Sequence, residues 1–375
     1  MKKLLFFILI PFLGIAQDFT ANGINYTITS RTAPFTVSVN KNPDFTGVAE
    51  IPETVAYNSE NYAVTDIVNY AFDGCKDLTS VTIPNSVTHI GDTAFRDCKN
   101  LTAVTIGNSI NSIEFLTFKG CGNLQSIIIP NSVTSIGASA FRDCMKLKSI
   151  TIPNSVTAIG NSAFDTCKSL TSVTIPNSVT AIEKYTFYNC NALTSVTIPN
   201  SVTAIGNSAF DGCMGLTSVT IPNSVTAIGE DAFAGCSSLR TVNCHITSPL
   251  VINENVFDAV SQSNCALNVP TGTQAVYQAA AVWKDFSPIS GGFLSSNSFA
   301  IESNLKIYPN PVSEILNIAL QEGLQLEKVN FYNTLGQLIK TTNHSEINVS
   351  SFAKGNYFVE VMTNQGKATK TIIIQ

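Results

Sequence analysis

The chain has 375 residues, which is enough for two or three domains. Only 13% of the residues are charged, and the formal net charge is −5. A weakly charged acidic chain lacks the basic surface that binds nucleic acid, so no nucleic-acid partner is expected.

Residues 1–16 have the pattern of a secretion signal. Lys2 and Lys3 form the basic start, Leu4–Leu13 is the apolar core, and Gly14–Ala16 offers small residues for cleavage. The apolar run is too short to span a membrane, and no later segment is long and apolar enough. The mature chain is therefore predicted to begin near Gln17 without a transmembrane segment.

Residues 17–66 show short alternating segments separated by Gly and Asn-Pro turns. We interpret them as an all-β cap over the N-terminal end of the region that follows. A separate binding domain is the alternative, and the shortness of the segment argues against it. The predicted strands are Ile24–Ile28, Phe35–Val39, Val48–Ile51 and Tyr62–Ile67.

A step of 23 residues organises residues 67–239. Eight cysteines recur at this step, each with a phenylalanine three residues before it and a leucine three residues after it. Such a period indicates stacked repeats, in which each coil buries its apolar side chains against the next. The cysteines are Cys75, Cys98, Cys121, Cys144, Cys167, Cys190, Cys213 and Cys236.

Each repeat contains two extended segments and a closing turn. Val173 and Ile175 alternate with polar residues, which predicts a strand that ends at Pro176. Val179 and Ile182 predict a second, shorter extended segment. The A-F-x-x-C segment is predicted to close the coil as one short helical or 3₁₀ turn.

The repeats resemble the BspA-type (treponemal-type) leucine-rich repeat, I-x-x-I-G-x-x-A-F-x-x-C-x-x-L-x-x-V-x-I-P. This resemblance implies a right-handed leucine-rich-repeat solenoid. Gly107 replaces the proline, Glu114 and Glu183 replace the glycine, and Thr117 and Thr186 replace the alanine. One repeat carries the pattern in Ile205, Gly206, Ala209, Phe210, Cys213, Leu216, Val219, Ile221 and Pro222.

The register changes from Arg240 onward. Phe257 follows Phe233 by 24 residues, and Cys244 and Cys265 leave the cysteine column. Residues 240–290 resemble the strand, Val-Pro, alanine-rich helix and W-x-x-F that close other proteins of this repeat family. The resemblance implies a C-terminal cap.

Residues 291–304 have the Gly/Ser/Asn-rich composition of a linker. Residues 305–375 show seven alternating segments, which suit a small Ig-like β-sandwich. The predicted strands are Lys306–Tyr308, Ile315–Ala319, Lys328–Tyr332, Leu338–Lys340, Ile347–Val349, Gly355–Met362 and Lys367–Ile374.

This last region resembles the C-terminal sorting domain read by the type IX secretion machinery of Bacteroidetes. The resemblance implies that machinery as a partner, export across the outer membrane, and removal of the domain within Ser290–Asn304. The remainder would stay on the cell surface or be released. Gln375 stands where a basic residue is common, and Lys367 and Lys370 are candidates to supply that charge. The motif residues are Pro309, Asn310, Pro311, Leu335, Gly336, Gln337, Gly355 and Tyr357.

The periodic cysteines favour a structural interpretation. One thiol per coil at the same position fits a small buried residue whose sulfur accepts weakly from the backbone. A chain of disulfides or a metal array is the alternative, but neither C-x-x-C pairs nor nearby histidines accompany the column. For Cys244 and Cys265, a disulfide and two separate thiols both remain open.

No catalytic motif is present, and we predict a protein that is not an enzyme and holds no metal or cofactor. The sequence lacks G-x-S-x-G, H-E-x-x-H and phosphate-loop patterns. Glu114, Glu183, Glu230 and Asp231 are single substitutions at variable repeat positions, which predicts solvated surface charges.

Two features are candidates for binding. One is an outward row of Ser and Thr on the strands, which is either ordinary sheet surface or a lattice for a polysaccharide or ice. The other is a set of aromatic and basic residues at variable positions, which reflect either drift or an interface. We predict a surface or secreted adhesin toward a protein, cell or glycan, with a polysaccharide-binding accessory or weak glycan-active enzyme as the alternative. The candidate contacts are Arg96, Phe115, Arg142, Lys184, Tyr185 and Tyr188.

Overall fold

The computed structural model of the protein describes residues 17–293, 305–320, 324–334, 337–363 and 366–375. The predicted signal peptide, most of the predicted linker, and Leu335 and Gly336 of the sorting motif lie outside these residues. The described chain is mostly β, as predicted, and forms two compact units. The first contains residues up to 217 together with 228–238 and 255–260, and the second contains the rest.

The N-terminal segment contains six strands: β1 (Asp18–Ala21), β2 (Ile24–Ser30), β3 (Thr36–Val39), β4 (Gly47–Glu50), β5 (Thr54–Tyr57) and β6 (Glu60–Ile67). Five of them form a sheet in the order β1-β2-β3-β6-β5. The sequence predicted only four strands. It missed β1 and β5, because β1 has no fully buried residue and β5 has only one.

Two ladders of parallel strands connect successive coils of the first unit. In the long strands, residues 23 apart lie opposite each other, as with Ser149 and Ser172. The long strands are β7 (Leu78–Thr82), β9 (Ala103–Thr105), β11 (Ser126–Ile128), β13 (Ser149–Thr151), β15 (Ser172–Thr174) and β17 (Ser195–Thr197). The short strands are β8 (His89–Ile90), β10 (Ser112–Ile113), β12 (Ser135–Ile136), β14 (Ala158–Ile159), β16 (Ala181–Ile182), β18 (Ala204–Ile205) and β20 (Ala227–Ile228).

A column of stacked phenylalanine rings forms the core of the first unit. Neighbouring rings are nearly parallel, with centroids 5.3 to 5.6 Å apart from Phe72 to Phe233. Phe257 adds a further ring at 5.5 Å although its sequence spacing differs. At the other end, Phe45 packs edge-on against Phe72 at 5.5 Å and closes the stack.

Part of the N-terminal segment is itself a coil. Strand β4 pairs in parallel with β7, placing Ala49 opposite Val81, and the Ile51 N–H donates to the Thr82 carbonyl at 3.1 Å. Strand β6 pairs in the same way with β8. Strand β5 and the first half of β6, which form a hairpin, are therefore inserted between β4 and the end of β6, the two strands of a first, irregular coil.

The second unit also contains parallel strands. Its strands β19 (Ser218–Ile221), β21 (Thr241–Cys244), β22 (Ala266–Pro270) and β23 (Ile289–Phe293) lie side by side in that order. Cys244 lies opposite Ile221, so it occupies the isoleucine position of a repeat. Among the described residues of both units, the helical segments are α1 (Gln274–Ala279) and three 3₁₀ turns at Glu254–Phe257, Gln262–Asn264 and Trp283–Asp285.

The C-terminal region has two antiparallel sheets, consistent with an Ig-like domain. All seven predicted strands are present, and Leu316, Phe331, Val359 and Ile372 lie in the buried core between the sheets. The first sheet has the order β24 (Leu305–Tyr308), β25 (Ile315–Leu320), β28 (Glu346–Asn348); the second has the order β27 (Leu338–Thr342), β26 (Leu326–Tyr332), β29 (Gly355–Thr363), β30 (Gly366–Ile374).

Candidate functional site

The six candidate contact residues lie on one surface, which we call the turn face. It consists of the six residues that precede each column cysteine, such as residues 138–143 before Cys144. The predicted helical turn is wrong, because this segment is two successive turns in which Ser139 and Asp143 have φ of 56° and 61°. Left-handed residues at these positions interrupt any right-handed helix.

The turn face is held by hydrogen bonds that alternate along the chain. The Phe141 N–H donates to the Ala163 carbonyl of the next coil at 2.8 Å, whereas the Arg142 N–H donates to Ser139 within its own coil at 3.2 Å. Every second amide therefore connects neighbouring coils. This fixed backbone leaves the side chains at the variable positions free to differ from coil to coil.

A glycine follows the short strand in most coils because a Cβ would not fit there. A Cβ built on Gly160 would lie 2.6 Å from the Ala138 nitrogen, and one built on Gly206 would lie 2.6 Å from the Lys184 nitrogen. The close approach also permits a hydrogen bond, since the Gly206 N–H donates to the Ile182 carbonyl at 2.7 Å.

Glu114 and Glu183 replace this glycine, and the ladder of short strands is interrupted at both coils. Within the described residues, neither glutamate N–H donates to the preceding coil, and β10 does not pair with β8, nor β16 with β14. The extra Cβ explains the separation. In each coil a threonine hydroxyl donates to the glutamate carbonyl, from Thr117 at 2.8 Å and from Thr186 at 2.7 Å.

The residues that follow these two glutamates are exposed. Phe115 is 48% exposed after Glu114, and Tyr185 is 40% exposed two residues after Glu183, beside the exposed Lys184. The Tyr185 ring meets the Tyr188 ring edge-on at 5.7 Å. The interruptions of the short ladder thus coincide with protruding aromatic side chains.

Arg96 lies on the same face but is tied to its neighbours. Its guanidinium donates to both carboxylate oxygens of Asp73 at 2.8 and 2.7 Å, and Asp97 lies 3.8 Å away. The guanidinium carbon also lies 5.9 Å from the centre of the Tyr70 ring, which Lys41 approaches at 5.7 Å. Arg96 therefore contributes a fixed, neutralised charge.

Tyr70 is a surface residue that the sequence analysis missed. It is 45% exposed and, like Tyr185, has a left-handed backbone, with φ of 62°. The signal was available in the sequence, because Tyr70 precedes Cys75 by the same five residues that separate Tyr185 from Cys190.

Arg142 is also paired. It lies 3.2 Å from an oxygen of Asp165 and 3.7 Å from Asp143. Asp165 is buried and accepts a hydrogen bond from the Thr166 hydroxyl at 2.8 Å. Burial raises the pKa of Asp165, while the Thr166 hydrogen bond and the Arg142 charge act in the opposite direction. Arg142 thus stabilises a buried carboxylate as well as reaching the surface.

The strand face presents the predicted Ser and Thr row. Ser172 and Thr174 are exposed, and within the described residues their hydroxyls have no protein partner. By contrast, the neighbouring Thr171 hydroxyl donates to the Lys148 carbonyl of the preceding coil at 3.2 Å. Ile128 interrupts the row and is 80% exposed.

The ten cysteines are free and buried. Each column cysteine donates from its thiol to a backbone carbonyl, as from Cys167 to Phe141 at 3.2 Å, a donor role that the sequence analysis did not predict. Cys244 lies 3.2 Å from the Tyr277 hydroxyl and forms no disulfide with Cys265. Among the described residues, no cluster of three or more His, Cys, Asp or Glu could hold a metal ion.

Asn310 of the sorting motif covers the free edge of the last strand. Its side-chain oxygen accepts from the Ile373 N–H at 2.8 Å, and its amide donates to the Thr371 carbonyl at 3.1 Å. The Val312 N–H donates to the Ile373 carbonyl at 2.8 Å, and the Gln375 N–H donates to the Val312 carbonyl at 2.9 Å. This segment thus takes the place of a partner strand along the C-terminal half of β30. Pro309 and Pro311, which flank Asn310, have no N–H to donate.

Other motif residues shape the turns of the same domain. The Gln337 N–H donates to the Asn333 side-chain oxygen at 2.9 Å. The Tyr357 hydroxyl donates to the Ala353 carbonyl at 2.9 Å, and Gly355 has φ of 145°. These residues therefore form the fold of the domain rather than one common site.

Comparison with known proteins assigns the two regions. Residues 65–192 and 157–280 match the family described as BspA type Leucine rich repeat region, and residues 306–375 match the Secretion system C-terminal sorting domain. No curated protein sequence matches significantly.

Similar solved structures are also leucine-rich-repeat proteins. One from Bacteroides ovatus is 26% identical, with a TM-score of 0.50, over 72% of this chain and 88% of its own. A leucine-rich cell surface protein from Faecalibacterium prausnitzii is 27% identical, with a TM-score of 0.44, over 69% of this chain and 90% of its own. A leucine-rich-repeat protein from T. pallidum is 24% identical, with a TM-score of 0.41, over 60% and 91%.

These matches indicate a secreted or outer-surface protein that the type IX secretion machinery handles. Among the described residues, no helix is long and apolar enough to cross a membrane. The chain belongs to the BspA-type leucine-rich-repeat family and carries a secretion-system C-terminal sorting domain.

Proposed function

We propose that the protein is a non-enzymatic adhesin that binds an extracellular protein or a cell-surface ligand through its turn face. The observation that carries this proposal is the coincidence of exposed aromatic side chains with the interruptions at Glu114 and Glu183. Both coils depart from the glycine pattern at the cost of a backbone hydrogen bond between coils. In each of these two coils, a glutamate that weakens the scaffold is accompanied by an exposed aromatic ring, and this combination favours a binding role.

The strongest contact is assigned to the coil of Tyr185. Tyr185 and Tyr188 present two rings at right angles, with the cation of Lys184 beside them. Tyrosine is enriched at the energetic centres of protein interfaces, because it buries a large ring and still makes a hydrogen bond. Phe115, three coils earlier, lies roughly 15 Å away along the stack at about 4.8 Å per strand. Both contacts could fall within one interface of ordinary size.

A binding screen tests the proposal. The purified protein would be tested against intact cells, extracellular matrix proteins and a polysaccharide array. Saturable binding to a protein or to cells, weakened by removing the Tyr185 and Tyr188 rings, is the expected result. Turnover of any polysaccharide would refute the non-enzymatic assignment.

The strand face supports a second candidate, a polysaccharide-binding accessory protein. The free hydroxyls of Ser172 and Thr174 recur in neighbouring coils and form a regular surface of donors and acceptors. Replacing Thr174 and Thr197 with valine would leave the strand shape unchanged and remove two hydroxyls. Loss of polysaccharide binding in that variant, with Tyr185 unimportant, would favour this candidate over the adhesin.

A further inference from the structure

A groove separates the edges of the two sheets in the sorting domain. It lies between β24 and β30 and has a volume of about 460 Å³. Leu305 and Ile372 belong to the buried core beneath it, and Tyr308 is 51% exposed at its wall. The groove is lined by Leu305, Lys306, Ile307, Tyr308, Asn310, Lys370, Thr371 and Ile372.

Both strands that border the groove are sheet edges. Among the described residues, β24 pairs only with β25, and β30 pairs along its length only with β29. On β30, the Ile373 N–H and carbonyl point away from β29, because they bond to Asn310 and Val312. Alternation along the ladder places the Thr371 N–H on the same outer side, and no described residue accepts from it. Asn310 therefore closes one half of this edge and leaves the other half available to an added strand.

A lysine occupies the core-facing side of the open half. Lys370 lies opposite Val359 on β29. It is two residues from the buried Ala368 and from the buried Ile372, so its side chain lies on the same side of the sheet as theirs. Its side chain is half-buried, and within the described residues no carboxylate forms an ion pair with it. Lys306 stands on the opposite wall and is exposed. The groove thus has an apolar floor, an open strand edge and a cation on each wall.

We infer that this groove takes up an extended acidic peptide segment of the type IX secretion machinery as an added β-strand. Strand addition uses main-chain hydrogen bonds for affinity, and pockets for alternate side chains give specificity. The apolar floor would receive one row of side chains, and Lys370 and Lys306 would pair with carboxylates between them. The partner follows from the place of the groove, since it lies in the domain that this machinery handles. The inference does not depend on the adhesin proposal.

Charge reversal tests the inference. The full-length protein would be produced in a bacterium with an active type IX system, and the extracellular and periplasmic fractions would be compared. We expect Lys370→Glu to lower the extracellular fraction about tenfold, because a like-charge contact replaces an attractive one. Lys306→Glu, on the exposed wall, is a second variant that does not perturb the core face. Lys328→Glu is the matched control, since Lys328 is an exposed lysine on the opposite face of the second sheet.

The variants also separate docking from edge protection. A charge of either sign on an edge strand prevents association between sheets. If Lys370 served only to prevent such association, the Lys370→Glu variant would be exported normally. Normal export of folded Lys370→Glu and Lys306→Glu would therefore overturn the inference. If Lys370→Glu fails to fold, as judged by circular dichroism, the Lys306→Glu result decides. A photocrosslinking residue at position 308 that captures a second copy of this chain, and not the machinery, would likewise overturn it.

Discussion

The Cys98 thiol donates a hydrogen bond to the carbonyl oxygen of Phe72, one coil earlier, with 3.1 Å between sulfur and oxygen. The same oxygen accepts the Cys75 N–H at 3.1 Å, so both of its lone pairs are used inside the core. The pattern recurs in successive coils, and at the first coil the Cys75 thiol donates to Asn42 instead. The column of cysteines thus completes the hydrogen bonding of a buried backbone carbonyl in each coil.

Replacing one column cysteine tests this account. We expect Cys167→Ala to lower the free energy of unfolding by about 1–3 kcal/mol, since it removes a donor and leaves a small cavity. Cys167→Ser retains a donor and should lose less. Urea unfolding of the two variants measures the difference, and equal stability of wild type and Cys167→Ala would contradict the role of the thiol.

Stability should fall at alkaline pH. Burial raises the pKa of the Cys236 thiol from 9.0 to about 12 and also raises the pKa of the Cys167 thiol, so these thiols stay protonated in the folded chain. The unfolded thiols ionise above about pH 8.5, which favours unfolding. The stabilisation is complete below that value and is lost at about 1.4 kcal/mol per pH unit for each thiol as the pH rises.

Urea unfolding between pH 7.5 and 10 at constant ionic strength would measure this slope. Cys167→Ala removes one titrating thiol and should make the slope shallower by one such increment. A stability that stays constant across this range would show that the thiols are accessible to base in the folded protein.

Glycine after the short strand should not tolerate a methyl group. In Gly160→Ala the new Cβ would lie 2.6 Å from the Ala138 nitrogen, and the backbone must shift, at a cost of roughly 2 kcal/mol. Gly292→Ala is a suitable control, since a Cβ there meets no atom within 4 Å. Thermal unfolding compares the two, and a neutral Gly160→Ala would remove our explanation for the interrupted ladder at Glu114 and Glu183.

Asn310 should stabilise the end of the sorting domain. Asn310→Ala removes two hydrogen bonds to β30, and we expect a loss of roughly 1–3 kcal/mol. Hydrogen exchange of the Ile373 amide, which donates to Asn310, should accelerate in the variant. Asn356→Ala, on the exposed side of β29, is the control and should leave that amide unchanged. Unchanged protection of Ile373 in Asn310→Ala would argue against the covering role.

The repeat and the fold class could be predicted because each coil uses the same few apolar positions. The predicted helical turn failed for a physical reason. In several coils, residues other than glycine occupy left-handed positions, as at Ser139, Thr166 and Tyr185, and these residues give no local sign of a turn. Contacts to the neighbouring coil hold them in place. A sign was present in other coils, where a left-handed glycine such as Gly74 or Gly212 directly precedes the cysteine.

The caps were harder to interpret because insertions hide their register. The Ile51-Pro52 pair corresponds to Ile83-Pro84, but the β5–β6 hairpin separates it from the next strand. Cys244 is similar, because it occupies the isoleucine position opposite Ile221. A cysteine at this position is not recognised as part of the apolar repeat pattern. The repeat positions of Ile51-Pro52 and Cys244 are identified by strand pairing between coils and not by spacing along the chain.

The candidate site was predicted only as a set of unusual side chains. The sequence could not show that Arg96 is neutralised by Asp73, or that Arg142 stabilises the buried Asp165, since both pairs join residues 23 apart in sequence. Nor could it show that Glu114 and Glu183 separate their coils from the preceding ones. These relationships shift the expected centre of binding from the arginines to Tyr185 and its neighbours.

Binding of the full-length protein to the protein or cell partner found in the screen, compared between wild type and Tyr185→Gly, tests the central claim most directly. Glycine suits the φ of 60° at this position, so the variant removes the ring without straining the fold. Met214→Ala, which removes another side chain that is 54% exposed, is the control. We expect roughly tenfold weaker binding for Tyr185→Gly alone, as for an interface hot spot. Equal affinity of all three proteins would contradict the assignment of the turn face as the binding surface.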